Sequence, residues 1–127
     1  MPDNQLFEYA VIRVVPRVER EEFINAGVIA YCGRQRFLQV AFEVNEPRIL
    51  ALYPEADIAA IRENLISLQH IANGGKDAGP IGMLDTPSRF RWLTARRSTV
   101  VQTSQVHPGL CTNMEKVMER LFAELVL

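Results

Sequence analysis

Residues 24–44, INAGVIAYCGRQRFLQVAFEV, decide the fold. Ile24 to Cys32 is an apolar, β-branched run of strand length, interrupted by Gly27, which marks a bulge or a close backbone approach. Gly33-Arg34-Gln35-Arg36 is a turn of hairpin length. From Phe37 to Val44 the residues alternate, with Leu38, Val40, Phe42 and Val44 forming an apolar face. The two runs therefore read as an antiparallel hairpin.

Upstream, Phe7 to Val15 (FEYAVIRVV) is a third strand, stopped by Pro16. Phe7, Tyr9, Val11 and Val15 alternate with Ala10, Ile12 and Val14, so both faces are largely apolar and the strand belongs inside a sheet. The charged run Arg17 to Glu22 between the strands reads as a solvated connection. Downstream, Asn45 is placed to cap a short helix over Glu46 to Leu52, with Pro47 in its first turn. Asp57 then caps a longer helix whose stripe is Ile58, Ile61, Leu65, Leu68 and Ala72, ended by Asn73-Gly74-Gly75. Gly74 to Pro87 holds four Gly and two Pro and is expected to be a mobile loop. Ser88 to Leu93 fits a short helix capped by Ser88, with a strand as the alternative. Ser98 to Ser104 is a strand, Pro108-Gly109 a turn, and Thr112 to Glu115 a capping box opening a last helix on Val117, Met118, Leu121, Phe122 and Leu125. The expectation is a single α+β domain over residues 1–127. It has an antiparallel sheet of about four strands, β-β-β-α-α-β-α order with a short helix before the last strand, two main helices packed on the sheet, and a flexible tail at 1–5.

Composition narrows the function classes. The 127 residues carry 14 Lys+Arg against 15 Asp+Glu, a net charge of −1, with 48% hydrophobic residues. That balance is globular and does not mark the whole chain as a nucleic-acid or membrane binder. The opening Met1-Pro2-Asp3-Asn4-Gln5 lacks a basic n-region and an apolar h-region, so no secretory signal is expected. No apolar run approaches the roughly 20 residues of a membrane span. Two cysteines, Cys32 and Cys111, make no disulfide framework and read as reduced thiols of a cytoplasmic protein.

The chemically biased window is Thr86 to Cys111. It contains Arg89, Arg91, Arg96 and Arg97 and no acidic residue, interleaved with Ser98, Thr99, Gln102, Thr103 and Ser104, with His107 last. Guanidinium forks beside hydroxyl donors are the elements of an anion site. Arg89, Arg91, Arg96, Arg97, Ser98 and His107 are therefore the candidate anion- or partner-binding residues, for a phosphate, a nucleic acid or an acidic protein surface. The alternative is a basic rim neutralised by the acidic loop Glu19 to Glu22. Arg13, inside an apolar run, calls for a carboxylate, and Glu43 is the candidate for a structural ion pair. Trp92 reads as core packing. Cys111 near His107 could be a nucleophile at a helix N-terminus, but no catalytic signature surrounds it and a structural cysteine is the better reading. Gly75-Lys76 fails as a phosphate loop because His70 and Asp77 stand where Gly and Ser or Thr are needed. Neither Glu21-Glu22 nor Glu115 with Glu119 makes a catalytic acid pair. No metal site and no cofactor are expected.

The stretch YAVIRVVPRVEREEFINAGVIAYC (9–32), together with RFRWLTARRSTVVQTSQVHPGLC (89–111), resembles a bacterial family known as a domain of unknown function with a number in the thirty-thirties. The departure is at Arg96-Arg97, where the family pattern has Pro before the Arg. The resemblance implies a small cytoplasmic bacterial protein, often encoded beside a HipA-like kinase. It implies no catalytic residues. The resulting expectation is a non-enzymatic interaction or regulatory protein with a kinase-like partner, and the alternative is an enzyme or binder acting on a phosphate-bearing or nucleic-acid ligand through 86–111. Oligomeric state is left open.

Overall fold

In the computed structural model, which describes residues 4–127, β1 (Gln5–Val14) runs through the middle of an antiparallel sheet. It pairs on one side with β2 (Ile24–Cys32), which in turn pairs with β3 (Phe37–Phe42). On the other side it pairs with β4 (Val101–Thr103) along its C-terminal half and with β5 (His107–Cys111) along its N-terminal half. The helices are α1 (Glu46–Leu52), α2 (Ile58–Asn73), α3 (Gly79–Gly82), α4 (Thr86–Leu93) and α5 (Met114–Leu125), and the fold is α+β. No helix among the described residues is long and apolar enough to cross a membrane.

The apolar character of both faces of β1 follows from burial on both. Ile12 and Val14 join Ile29, Leu38 and Val40 beneath Ile61, Leu65 and Leu68 of α2 and Phe90 and Leu93 of α4. On the opposite face Phe7, Val28, Ala30 and Cys32 lie against Met114, Val117, Met118 and Leu121 of α5. The two main helices thus cover opposite faces, each through the stripe its spacing predicts. The register slips between Ile12 and Arg13, where Gly27 stands opposite Ile12 and Asn25 opposite Arg13. A Cβ on Gly27 would lie 2.5 Å from the Ala41 carbonyl oxygen, so the bulge and the close approach are one feature.

Several boundaries differ from the sequence reading. There are five strands because Pro108-Gly109 lies inside β5 instead of making a turn. Pro108 is tolerated because β5 is an edge strand, where a missing N–H removes no ladder bond. Gly109 stands opposite Phe7, and a Cβ there would meet the Phe7 ring at 2.5 Å. The fourth strand covers only Val101–Thr103, and Gln5, expected in the tail, opens the first strand; residues 1–3 lie outside the described residues. Within 74–87, Lys76–Ala78 forms a 3-10 turn, α3 follows, and α4 begins at Thr86. Asn45 and Asp57 cap α1 and α2 as expected, accepting from the Arg48 and Ala60 N–H groups. Two other caps shift. Asp85, not Ser88, caps α4 by accepting from the Ser88 N–H at 2.8 Å. Asn113, not Thr112, caps α5 by accepting from the Lys116 N–H at 3.2 Å.

Leu121 is 5% exposed at the centre of the α5 interface. Leu121→Ala is expected to lower stability by about 2–5 kcal/mol in chemical denaturation. A loss under about 0.5 kcal/mol would place that helix face in solvent.

Candidate anion-binding site

α5 lies mainly over β2 and β3, and the side of the same sheet face toward β4 and β5 is left partly open. Arg13 of β1, Gln102 of β4 and His107 of β5 reach this strip, because Gln102 is the register partner of Arg13 and His107 that of Tyr9. The segment after α4 closes the far side with Arg96, Arg97 and Ser98. Together these residues line a depression of about 600 Å³, whose remaining lining is Thr94, Thr103, Ser104 and Gln105. No carboxylate lines it. The volume is that of a small-molecule site.

The walls are fixed by hydrogen bonds. Arg97 turns back over the end of α4, donating to the Leu93 carbonyl at 3.0 Å and the Trp92 carbonyl at 2.6 Å. Its guanidinium also lies 4.5 Å from the Trp92 ring centroid. A cation here satisfies the orphan carbonyls of the helix C-terminus. Burial of the guanidinium pulls its pKa below the ordinary arginine value. Thr94 Oγ1 donates to the Phe90 carbonyl at 2.9 Å, and Gln102 Nε2 to the Thr99 carbonyl at 2.7 Å. His107 packs on Tyr9 with ring centroids 5.3 Å apart. Ser104, the one buried polar residue among those described, bonds β1 twice: its N–H donates to the Val11 carbonyl at 2.8 Å and its Oγ accepts from the Val11 N–H at 2.9 Å.

Arg13 differs from the other cations. Its Nε is buried and has no hydrogen-bond partner, and its guanidinium lies 4.2 Å from the Phe23 ring centroid. Its cross-strand neighbour Asn25 carries a second buried atom without a partner, Oδ1, while Asn25 Nδ2 donates to the Leu125 carbonyl at 3.1 Å. Buried polar atoms are nearly always paired, so this donor and acceptor on cross-strand neighbours set Arg13 apart from the other cations.

Of the residues expected from sequence, Arg96, Arg97, Ser98 and His107 come together. Arg89 does not: it caps the C-terminus of α2, donating to the Ile71 and Ala72 carbonyls at 2.9 and 2.7 Å, and it also bonds the Leu84 carbonyl and Thr86 Oγ1. Arg91 is exposed on α4 and outside the lining. The Arg13–Glu43 ion pair is not among the ion pairs of the described residues. Strand β2 intervenes, with Asn25 opposite Arg13, while the Glu43 N–H bonds the Ala26 carbonyl beyond it. Within the acidic loop, Glu19 pairs with Arg17 and Glu22 with Arg20, while Glu21 lines a concavity with Arg13 and Ser98. Trp92 packs partly buried against the core. Among the described residues no group of three or more His, Cys, Asp or Glu is placed to hold a metal ion.

A family profile described as "Protein of unknown function (DUF3037)" matches residues 9–126. The chain belongs to this family. No curated protein and no solved structure matches it. Every residue lining the depression lies within the span that matches DUF3037.

The cysteines of this DUF3037 domain lie outside the site. Both are free and buried, and Cys111 Sγ sits 3.2 Å from Met114 Sδ. Burial foremost, and the neighbouring Cys32, push the Cys111 pKa up. A raised pKa means less thiolate at any pH below it, the opposite of an activated nucleophile. Iodoacetamide is expected to alkylate Cys111 more slowly than free cysteine at pH 8, with the rate rising when denaturant is added. Alkylation of the folded protein as fast as free cysteine would contradict this.

Proposed function

We propose that the protein is a binding protein of regulatory type that captures a phosphate-bearing ligand in the depression over Arg13, Arg96, Arg97, Ser98 and His107. The observation that carries this reading is the convergence of three guanidinium groups, an imidazole and a hydroxyl with no carboxylate among them. In a partly desolvated concavity such donors attract an anion more strongly than scattered surface charges do. Thr94, Arg97, Gln102 and Ser104 are held by hydrogen bonds without the ligand, so binding need not order that part of the wall. Nothing in the cluster is an activated nucleophile, which favours capture over turnover.

A second reading, contact with a protein partner such as the HipA-like kinase that the family resemblance implies, is favoured by one observation. Leu6 and Leu110 are cross-strand partners on β1 and β5 and are 58% and 66% exposed. Paired apolar side chains on an open sheet end are the kind of surface a partner covers.

One melting experiment separates the two readings. Inorganic phosphate at saturating concentration is expected to raise the melting temperature beyond what chloride gives at equal ionic strength, because only the native state binds it. Phosphate also stabilises proteins by exclusion from their surface. Arg96→Ala is the control, since Arg96 is exposed and forms no ion pair among the described residues; it should retain the exclusion effect and lose the remainder. Equal gains in parent and variant would remove the anion site and leave the partner-contact reading.

A further inference from the structure

We propose that the ligand is a 5′-mononucleotide, its phosphate in the basic depression and its base against Phe23. This rests on the anion-site reading and adds the second half of the ligand. A smaller concavity of about 270 Å³ adjoins the basic one, and the two share Arg13, Ser98 and Gln102 as lining. Both are mainly polar, but the larger has no carboxylate, whereas the smaller adds Val15, Val18, Phe23 and Glu21 to the three shared residues.

Phe23 is the decisive residue. It immediately precedes β2, where an apolar ring would ordinarily turn into the core, yet it is 46% exposed. Part of the ring is held by the Arg13 guanidinium at 4.2 Å, and the rest faces solvent. An aromatic ring fixed by a cation on one side is a stacking platform for a planar base. Glu21 supplies the polar edge. Its neighbours Glu19 and Glu22 pair with Arg17 and Arg20, whereas Glu21 forms no ion pair among the described residues. Its backbone sits in the left-handed region at φ 60°, held by its N–H on the Val18 carbonyl at 3.2 Å. A carboxylate beside a stacking ring accepts from the exocyclic amino group of a base. Arg13 then stands between the two halves, since it lines both concavities.

An extended nucleic-acid strand fits less well. Strand binding needs a basic track for successive phosphates, and this chain has a net charge of −1 with an acidic residue flanking the aromatic. Concavities of this size suit one nucleotide.

The test is calorimetric titration of the full chain with AMP, UMP, inorganic phosphate and a twelve-nucleotide single-stranded DNA. AMP is expected to bind about tenfold or more tightly than inorganic phosphate, the contribution of one stacked base. UMP, which lacks an exocyclic amino group, is expected to bind more weakly than AMP. Phe23→Ala should bring AMP down to the affinity of phosphate, with both ligands measured on the variant. Equal affinities of AMP and phosphate in the parent, or an unchanged AMP affinity in Phe23→Ala, would overturn the nucleotide inference while the anion site stands. Tighter binding of the DNA strand than of AMP would replace the mononucleotide with a polymer. Binding of none of the four would overturn this inference and the anion site together.

Discussion

The arrangement depends on two hydrogen bonds between Ser104 and Val11. β1 is paired with β2 from Glu8 to Val14 on one side, but on the other side two short strands meet it in different registers. Ile12 faces Thr103, while Tyr9 faces His107, so one extra residue must be absorbed between them. An insertion of this kind leaves backbone groups of the partner strand without their ladder bonds. Here the Val11 carbonyl receives the Ser104 N–H, and the Val11 N–H finds the Ser104 hydroxyl. An unpaired buried N–H would cost about 1–3 kcal/mol. The serine side chain completes the ladder across the break.

The break also explains where the site lies. Because β4 and β5 are separate strands joined at this serine, Gln102 is brought beside Arg13 and His107 beside Tyr9, on the sheet face that α5 covers mainly along β2 and β3. The same edge leads back to the end of α4, where carbonyls seeking a cation hold Arg97. Helix termination and strand interruption thus place charges from three chain segments around one hollow. The chain is near neutral overall because its 15 Asp and Glu offset its 14 Lys and Arg, yet none of those carboxylates lines the hollow. The local field and the net charge are therefore independent properties of this chain.

The parts legible in the sequence were those governed by local pattern. The hairpin of β2 and β3, the bulge at Gly27, and the stripes of α2 and α5 all follow from periodicity or from one residue's conformational freedom. Elements decided by distant partners were not legible. Pro108-Gly109 has the composition of a turn, and only the presence of β1 beside it, with Phe7 requiring a glycine opposite, makes it a strand. The shifted caps have a simpler cause: Asp85 and Ser88, or Thr112 and Asn113, are comparable capping residues, and packing chooses between them. For the site, the acid-free arginine window was visible as composition. Which arginines remained available was not, because Arg89 is consumed by the end of α2, a segment far from the window in sequence. Arg13 stood out as a charge in an apolar run, but its neighbours Phe23, Asn25 and Gln102 come from pairing that no local pattern announces.

The most direct test of this account is amide hydrogen exchange at Val11, in the parent and in Ser104→Ala. The account predicts that the Val11 amide exchanges slowly in the parent, with the other central β1 amides, because both its N–H and its carbonyl are bonded across the break. In the variant, Val11 exchange should accelerate selectively, with the signals of Arg13, Gln102 and His107 shifting while the β2–β3 hairpin is unchanged. Fast exchange at Val11 in the parent, or protection unaltered by the substitution, would mean that the serine does not join the two halves of the edge, and the account of how the site is held together would fail.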